Sequence, residues 1–240
     1  MVGRAGGVRP PVSAGGPRPV RAGGGGVGLR AFAVGGTAAL LSVGLFLALW
    51  GSPPDAYQGE YVRIMYVHVP AAVSAYGAAA VAFGAGALYL WRRDRRWDFV
   101  GRAGAELAAL FSGLTLLTGM LWGKPVWGVW WAWDARLVTT AVLFLLYVGC
   151  LLVRDLADDP ERGRRLSAAV AVLAFLDVPV VHYSVVWFRT LHQGPSISLQ
   201  GVKLAPEFLL PLAVNAVAYL ALLSVLLAER ARLASLEGER

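Results

Sequence analysis

The sequence predicts an all-α, polytopic membrane protein with six transmembrane helices and both termini in the cytoplasm. Three observations carry this. Hydrophobic residues make up 57% of the 240 positions and charged residues only 15%, where a soluble domain carries roughly 25% charged residues. The apolar residues fall in blocks about as long as the ~20 helical residues that cross a bilayer. The basic side chains sit around these blocks and are unevenly shared between the two sides. A net charge of +7 therefore reads as a topology signal and not as a nucleic-acid footprint.

Residues 1–30 are rich in Gly, Pro, Arg and Val with no periodicity, which predicts a disordered cytoplasmic tail. The membrane domain is expected over 31–229. Its first span, Ala31–Trp50, is long enough to cross the bilayer and reads as a retained anchor, not a cleaved signal segment. Span two is Ile64–Trp91, bounded by Arg63 and Arg92. Span three runs from about Gly104 to Leu121 and span four from Leu137 to Val153. Span five is Leu166–Phe188 and span six Phe208–Ala228, followed by a cytoplasmic tail over 230–240. Gly and Ala recur in spans two, three and five, so these helices are expected to pack closely.

Seventeen of the 22 Lys and Arg residues lie in the N-terminal tail, the 92–103 and 154–165 loops and the C-terminal tail. Only Arg63, Lys124, Arg136, Arg189 and Lys203 lie on the other side. Basic loops stay in the cytoplasm, so the second set faces outward. The single cysteine, Cys150, lies in an apolar block and reads as a small buried hydrophobe. It excludes an internal disulfide, a dithiol redox motif and a c-type haem attachment pair. Glu106, near the cytoplasmic end of span three, is expected to snorkel to water and has no assigned role.

The outer loop 122–136 reads WGKPVWGVWWAWDAR and holds five of the nine tryptophans. Gly123, Pro125 and Gly128 favour a re-entrant or surface-lying segment over a spanning helix. The three histidines lie on the same side. His68 is about one turn below the outer end of span two, and His182 is roughly 9 Å below that of span five at 1.5 Å per residue. His192 follows in the loop RTLHQGPS and is left open between a supporting residue, a partner contact and an ordinary loop residue.

An ionisable residue within a span is a functional candidate by default. Two imidazoles at equal depth on different helices would clamp a metal, and neutral imidazole is a common axial ligand of haem iron. Flat indoles would surround a porphyrin. Arg63, Arg136, Arg189 or Lys124 would neutralise its propionates, arginine suiting the forked contact better. The residue pattern leaves haem and another flat or metal-centred ligand both open. It disfavours zinc, which lacks a third histidine at ligand spacing or a cysteine pair.

At these residues the chain resembles a known family. WGKPVWGVWWAWDAR resembles the signature of tryptophan-rich haem-handling membrane proteins. YVRIMYVHVPAA (Tyr61–Ala72) and VPVVHYSVVWFRTLHQGPSI (Val178–Ile197) narrow the resemblance to the haem exporter protein C family of cytochrome c maturation, CcmC. The resemblance implies that haem b is held on the outer face of the bacterial inner membrane with His68 and His182 as the axial ligands of the iron. It implies that the segment with Trp122, Trp127, Trp130, Trp131, Trp133 and Asp134 cradles the haem edge, with Arg63 and Arg136 in haem handling.

The implied partner is a membrane-tethered periplasmic haem chaperone, alongside an ATP-binding cassette ATPase with its membrane subunits and a small single-span accessory protein. No nucleic acid is implied. Two positions depart from the pattern. Trp187-Phe188 stands where the family commonly has Trp-Trp, and Asp177 stands where a polar uncharged residue is expected. Asp177 is read as a buried, protonated or paired acid, or as a group tuning His182.

The expected function is haem presentation with no chemistry beyond ligand exchange, hence no enzyme activity. The alternative is a permease subunit moving haem across the membrane with a partner ATPase, since the chain has no phosphate-binding Gly-rich loop. A transmembrane b-type cytochrome needs haems at two depths and usually four histidines, which three histidines on one side do not supply. The related lyases of the superfamily expect more outer histidines and more spans.

Overall fold

The computed structural model describes residues 3, 24–194, 197–198 and 201–237. Among them are seven α-helices: α1 (Gly24–Leu49), α2 (Met65–Arg92), α3 (Arg95–Trp127), α4 (Ala135–Asp155), α5 (Pro160–Ala174), α6 (Asp177–Trp187) and α7 (Pro206–Glu237). A helical turn, Glu60–Ile64, precedes α2, and two-residue strands, Ile197–Ser198 and Gly201–Val202, form a small hairpin. Taking α5 and α6 as one broken crossing, six helical segments are long and apolar enough to span a membrane. The all-α, six-span architecture predicted above is therefore the observed one.

The boundaries differ in four places. Helix α1 begins at Gly24, so the last part of the 1–30 tail is helical; apart from Gly3, the rest of that tail lies outside the described residues. The segment 230–237, expected as a tail, continues α7. Helix α3 runs on through Pro125 to Trp127, so Trp122–Trp127 is helix and only the remainder of the 122–136 segment up to Asp134 is loop. Span five is broken: Leu176 N–H bonds the Leu173 carbonyl at 3.1 Å and Val178 N–H bonds that of Phe175 at 3.1 Å. Such i→i−3 bonds tighten a helix end. Pro179 cannot donate the N–H that would bond Phe175 in a continuous helix.

Three aspartates start helices. Asp94 accepts from Arg96 N–H at 2.9 Å, Asp134 from Arg136 N–H at 3.0 Å, and Asp159 from Glu161 and Arg162 N–H at 3.2 and 2.9 Å. Each satisfies amide groups that a helix N-terminus leaves unpaired. Gly128, at φ 78°, ends α3 by donating its N–H to the Lys124 carbonyl at 3.0 Å. That left-handed conformation suits glycine.

Helix α2 is the hub. It buries Ala71, Ala75, Ala78, Ala79 and Ala82, largely against α3, α5 and α7. Small side chains let the α2 and α3 backbones approach closely. At Gly104 a Cβ would lie 2.7 Å from the Ala82 backbone nitrogen and 3.0 Å from its Cα. Gly104→Ala is therefore expected to cost about 1–3 kcal/mol by overpacking, read as a lower thermal midpoint of the detergent-solubilised protein. Helix α1 leans on α7, where Asn215 Nδ2 donates to the Gly44 carbonyl at 2.9 Å.

Charged side chains tie the helices together at the arginine-rich end. Asp98 and Arg154 form a two-pronged pair at 2.6 and 2.7 Å. Glu106, which sequence reasoning left without a role, accepts from Arg230 at 2.5 and 2.7 Å and from Arg102 at 3.1 Å, joining α3 to α7. Cys150 is 1% exposed, with Sγ 3.1 Å from the Ser167 carbonyl, in keeping with its reading as a buried hydrophobe. Helix alternation puts the 50–59, 128–134 and 188–194 connections together at the opposite end.

Candidate functional site: a histidine and tryptophan cluster at one end of the bundle

His68 lies in the first turns of α2, pressed onto α3. Its Nδ1 is 3.0 Å from Thr118 Oγ1, and the Trp122 ring meets it edge-on at 5.7 Å and 73°. Gly119 makes room, since a Cβ there would lie 3.1 Å from His68 Cε1. Trp122 is held in turn by its Nε1–H, which donates to Gln58 Oε1 at 2.7 Å from the preceding connection.

Asp134 organises the second half. It is 6% exposed. One carboxylate oxygen, Oδ1, accepts the Arg136 N–H at 3.0 Å and faces His192 Nδ1 at 2.9 Å. The other, Oδ2, accepts the Leu191 N–H at 2.7 Å. Burial alone would push the Asp134 carboxyl up. The hydrogen bonds from Thr190 and Leu191 and the proximity of His192 outweigh it and hold the group below the usual carboxylate range. Burial pushes His192 down despite the pull of Asp134, which favours the neutral imidazole. Trp127 meets the His192 ring edge-on at 4.8 Å and 71°. Thus the tryptophan segment grips a histidine 58 residues further along the chain.

The other predicted residues fall as follows. Trp131 and Trp133 pack edge-on at 6.0 Å. Trp130 and Trp133 are exposed. Arg136 donates from Nη2 to the His182 carbonyl at 3.0 Å, and its buried Nε–H has no partner among the described residues. Arg63 is engaged elsewhere: its guanidinium bonds the Ala48 carbonyl at 2.9 Å, the Leu49 carbonyl and Glu60. It thereby closes the C-terminus of α1. Lys124 Nζ likewise donates to the Gly128 carbonyl at 2.9 Å.

His182 is the main departure. Its ring is exposed on α6 and lies edge-on to Tyr183 at 5.0 Å and Tyr76 at 6.5 Å. Among the described residues no hydrogen bond or ring contact joins it to His68, Trp127 or Asp134. The break at Phe175–Leu176 lies below His182, toward the arginine-rich end, and leaves His182 on the unbroken outer helix α6. Asp177 sits at the break with Oδ2 buried and no hydrogen-bond partner among the described residues.

Sequence reasoning missed Thr118 and Gln58 and left His192 open. Its signal was its position, the third histidine on the tryptophan side in a connection that must pack somewhere at that end.

The family model for heme exporter protein C matches residues 27–240. The chain belongs to the heme exporter protein C family. It is 38% identical over 185 residues to heme exporter protein C of Bradyrhizobium diazoefficiens, covering 76% of this chain and 70% of that one. It is 38% identical over 190 residues to the Haemophilus influenzae heme exporter protein C, covering 78% and 76%. A ccmC-like mitochondrial protein of cytochrome c biosynthesis from Marchantia polymorpha is 35% identical over 176 residues, covering 72% and 73%. Heme exporter protein C membership places the chain among membrane proteins that handle haem in cytochrome c biogenesis.

Proposed function

We propose that the chain holds haem b at the tryptophan end of the bundle, between His68 and His192, and presents it to a membrane-tethered haem chaperone. The observation that carries this reading is the grip of Asp134 and Trp127 on His192. It puts an imidazole inside the tryptophan-rich segment, at the end of the bundle that His68 shares. His192 replaces His182 in the pair, because among the described residues no hydrogen bond or ring contact joins the His182 side chain to that segment, which meets only its backbone carbonyl through Arg136.

The donor set fits the cofactor. Neutral imidazole nitrogens suit haem iron, and the partnerless Arg136 Nε–H suits a propionate. Exposed Trp130, Trp133, Trp187 and Phe188 offer flat apolar surface to a porphyrin or an incoming protein. When bound, the iron would supply only reversible coordination to imidazole nitrogen. The chain's own part is to orient two imidazoles, offer a cation and keep one edge open, with no catalytic step.

In this reading the membrane is the bacterial inner membrane, the tryptophan end is periplasmic and both termini are cytoplasmic, an orientation that the arginine asymmetry supports. Release of the loaded chaperone then falls to an ATP-binding cassette ATPase with its membrane subunits and a small single-span protein, since this chain has no phosphate-binding loop.

The test is the absorption spectrum of protein purified after haem supplementation. Wild type and His182→Ala are expected to keep haem, and His68→Ala and His192→Ala to lose it. Loss in His182→Ala with retention in His192→Ala would restore the original pair. Retention in all three would remove axial ligation by histidine.

A further inference from the structure

The inference concerns the atom by which His68 binds, and it rests on the reading of His68 as a haem ligand. Thr118 is buried on α3, and its hydroxyl has three neighbours. It donates to the Leu114 carbonyl at 2.7 Å, with the Thr115 carbonyl at 3.2 Å, and it faces His68 Nδ1 at 3.0 Å. A hydroxyl has one proton and two lone pairs. The carbonyls can only accept, and the Leu114 contact is the shortest, so the proton points there. The Thr118 oxygen therefore meets His68 Nδ1 with a lone pair, and the hydrogen between them must come from the ring.

A neutral imidazole carries one ring N–H. With that hydrogen on Nδ1, the lone pair for a metal is on Nε2. Gly119 and Trp122 confine the ring from the same helix and oppose a half-turn flip that would put Cδ2 where Nδ1 now faces Thr118. We propose that Thr118 is a positioning residue that holds His68 as the Nδ1–H tautomer and so selects Nε2 as the iron-binding atom. A metal-ligating histidine generally donates its other ring N–H to a fixed acceptor, which sets the tautomer and orients the ring. Here the acceptor is a threonine hydroxyl whose own proton is committed to its helix.

The chain has three histidines, so nitrogen NMR of isotope-labelled histidine resolves each tautomer in haem-free protein. Wild type and Thr118→Ser are expected to show His68 as Nδ1–H. The near-isosteric Thr118→Val is expected to shift it toward Nε2–H and to weaken haem binding about 10- to 100-fold, with Thr118→Ser restoring affinity. His68 as Nε2–H in wild type, or an unchanged tautomer in Thr118→Val, would overturn the proposal. So would a shifted tautomer with wild-type haem affinity, provided His68→Ala loses haem. If His68→Ala also keeps wild-type affinity, the ligand reading fails and the tautomer result stands alone.

Discussion

Asp134→Asn is expected to weaken haem binding about as much as Asp134→Ala does, although asparagine is as good a helix N-cap as aspartate. The carboxylate is acceptor-only, and each oxygen is in use: Oδ1 toward Arg136 N–H and His192 Nδ1, Oδ2 toward Leu191 N–H. An amide has one accepting oxygen and an NH2 that only donates. With its oxygen at the Oδ1 position, asparagine turns NH2 on the Leu191 N–H and leaves a buried amide unpaired. With its oxygen at Oδ2, NH2 meets His192 Nδ1, which must then accept and carry its hydrogen on Nε2. That is the tautomer whose Nε2 has no lone pair for iron.

Loss of a supporting partner to a metal-ligating histidine typically costs 10- to 100-fold in affinity. Haem titration followed by absorption gives the effect, and thermal unfolding separates it from helix loss. Asp134→Ala should also lose about 1 kcal/mol of capping, while Asp134→Asn should keep it. Wild-type haem affinity in Asp134→Asn would show that His192 does not depend on this carboxylate.

The largest stability effect is expected at the other end. The Asp98 and Arg154 side chains are 3% and 14% exposed and bond through both oxygens at 2.6 and 2.7 Å. Removing one partner of a buried pair leaves an uncompensated charge and costs about 3–5 kcal/mol. Asp98→Ala should therefore lower the thermal midpoint in detergent well beyond Gly104→Ala. Replacing both, Asp98→Leu with Arg154→Met, should recover much of the loss, because two apolar groups need no partner. Equal midpoints for Asp98→Ala and wild type would mean that water or lipid headgroups already satisfy Arg154.

The spans were legible because they rest on local properties. Hydropathy, block length and flanking arginines are carried by contiguous residues, and the bilayer permits few alternatives to a helix. The closeness of α2 to α3 was legible as Gly and Ala frequency. The break within the fifth span was not legible because it depends on Pro179 and on two short i→i−3 bonds, a small perturbation in an otherwise apolar run. The part Arg63 plays in closing α1 was not legible because a cation beside a haem and a cation closing a helix end leave the same trace in a sequence.

From residue order alone came an all-α, six-crossing membrane protein, a haem-handling family, and one end of the bundle holding three imidazoles and a tryptophan-rich connection. Only folding gave the three imidazoles different surroundings. It set Thr118 behind His68 across 50 residues of chain and Asp134 behind His192 across 58, while His182 was left on an exposed helix face. Membrane crossing is a sum over neighbours in the chain, whereas a ligand is made by one acceptor at hydrogen-bond distance, and that distance exists only once distant segments have packed.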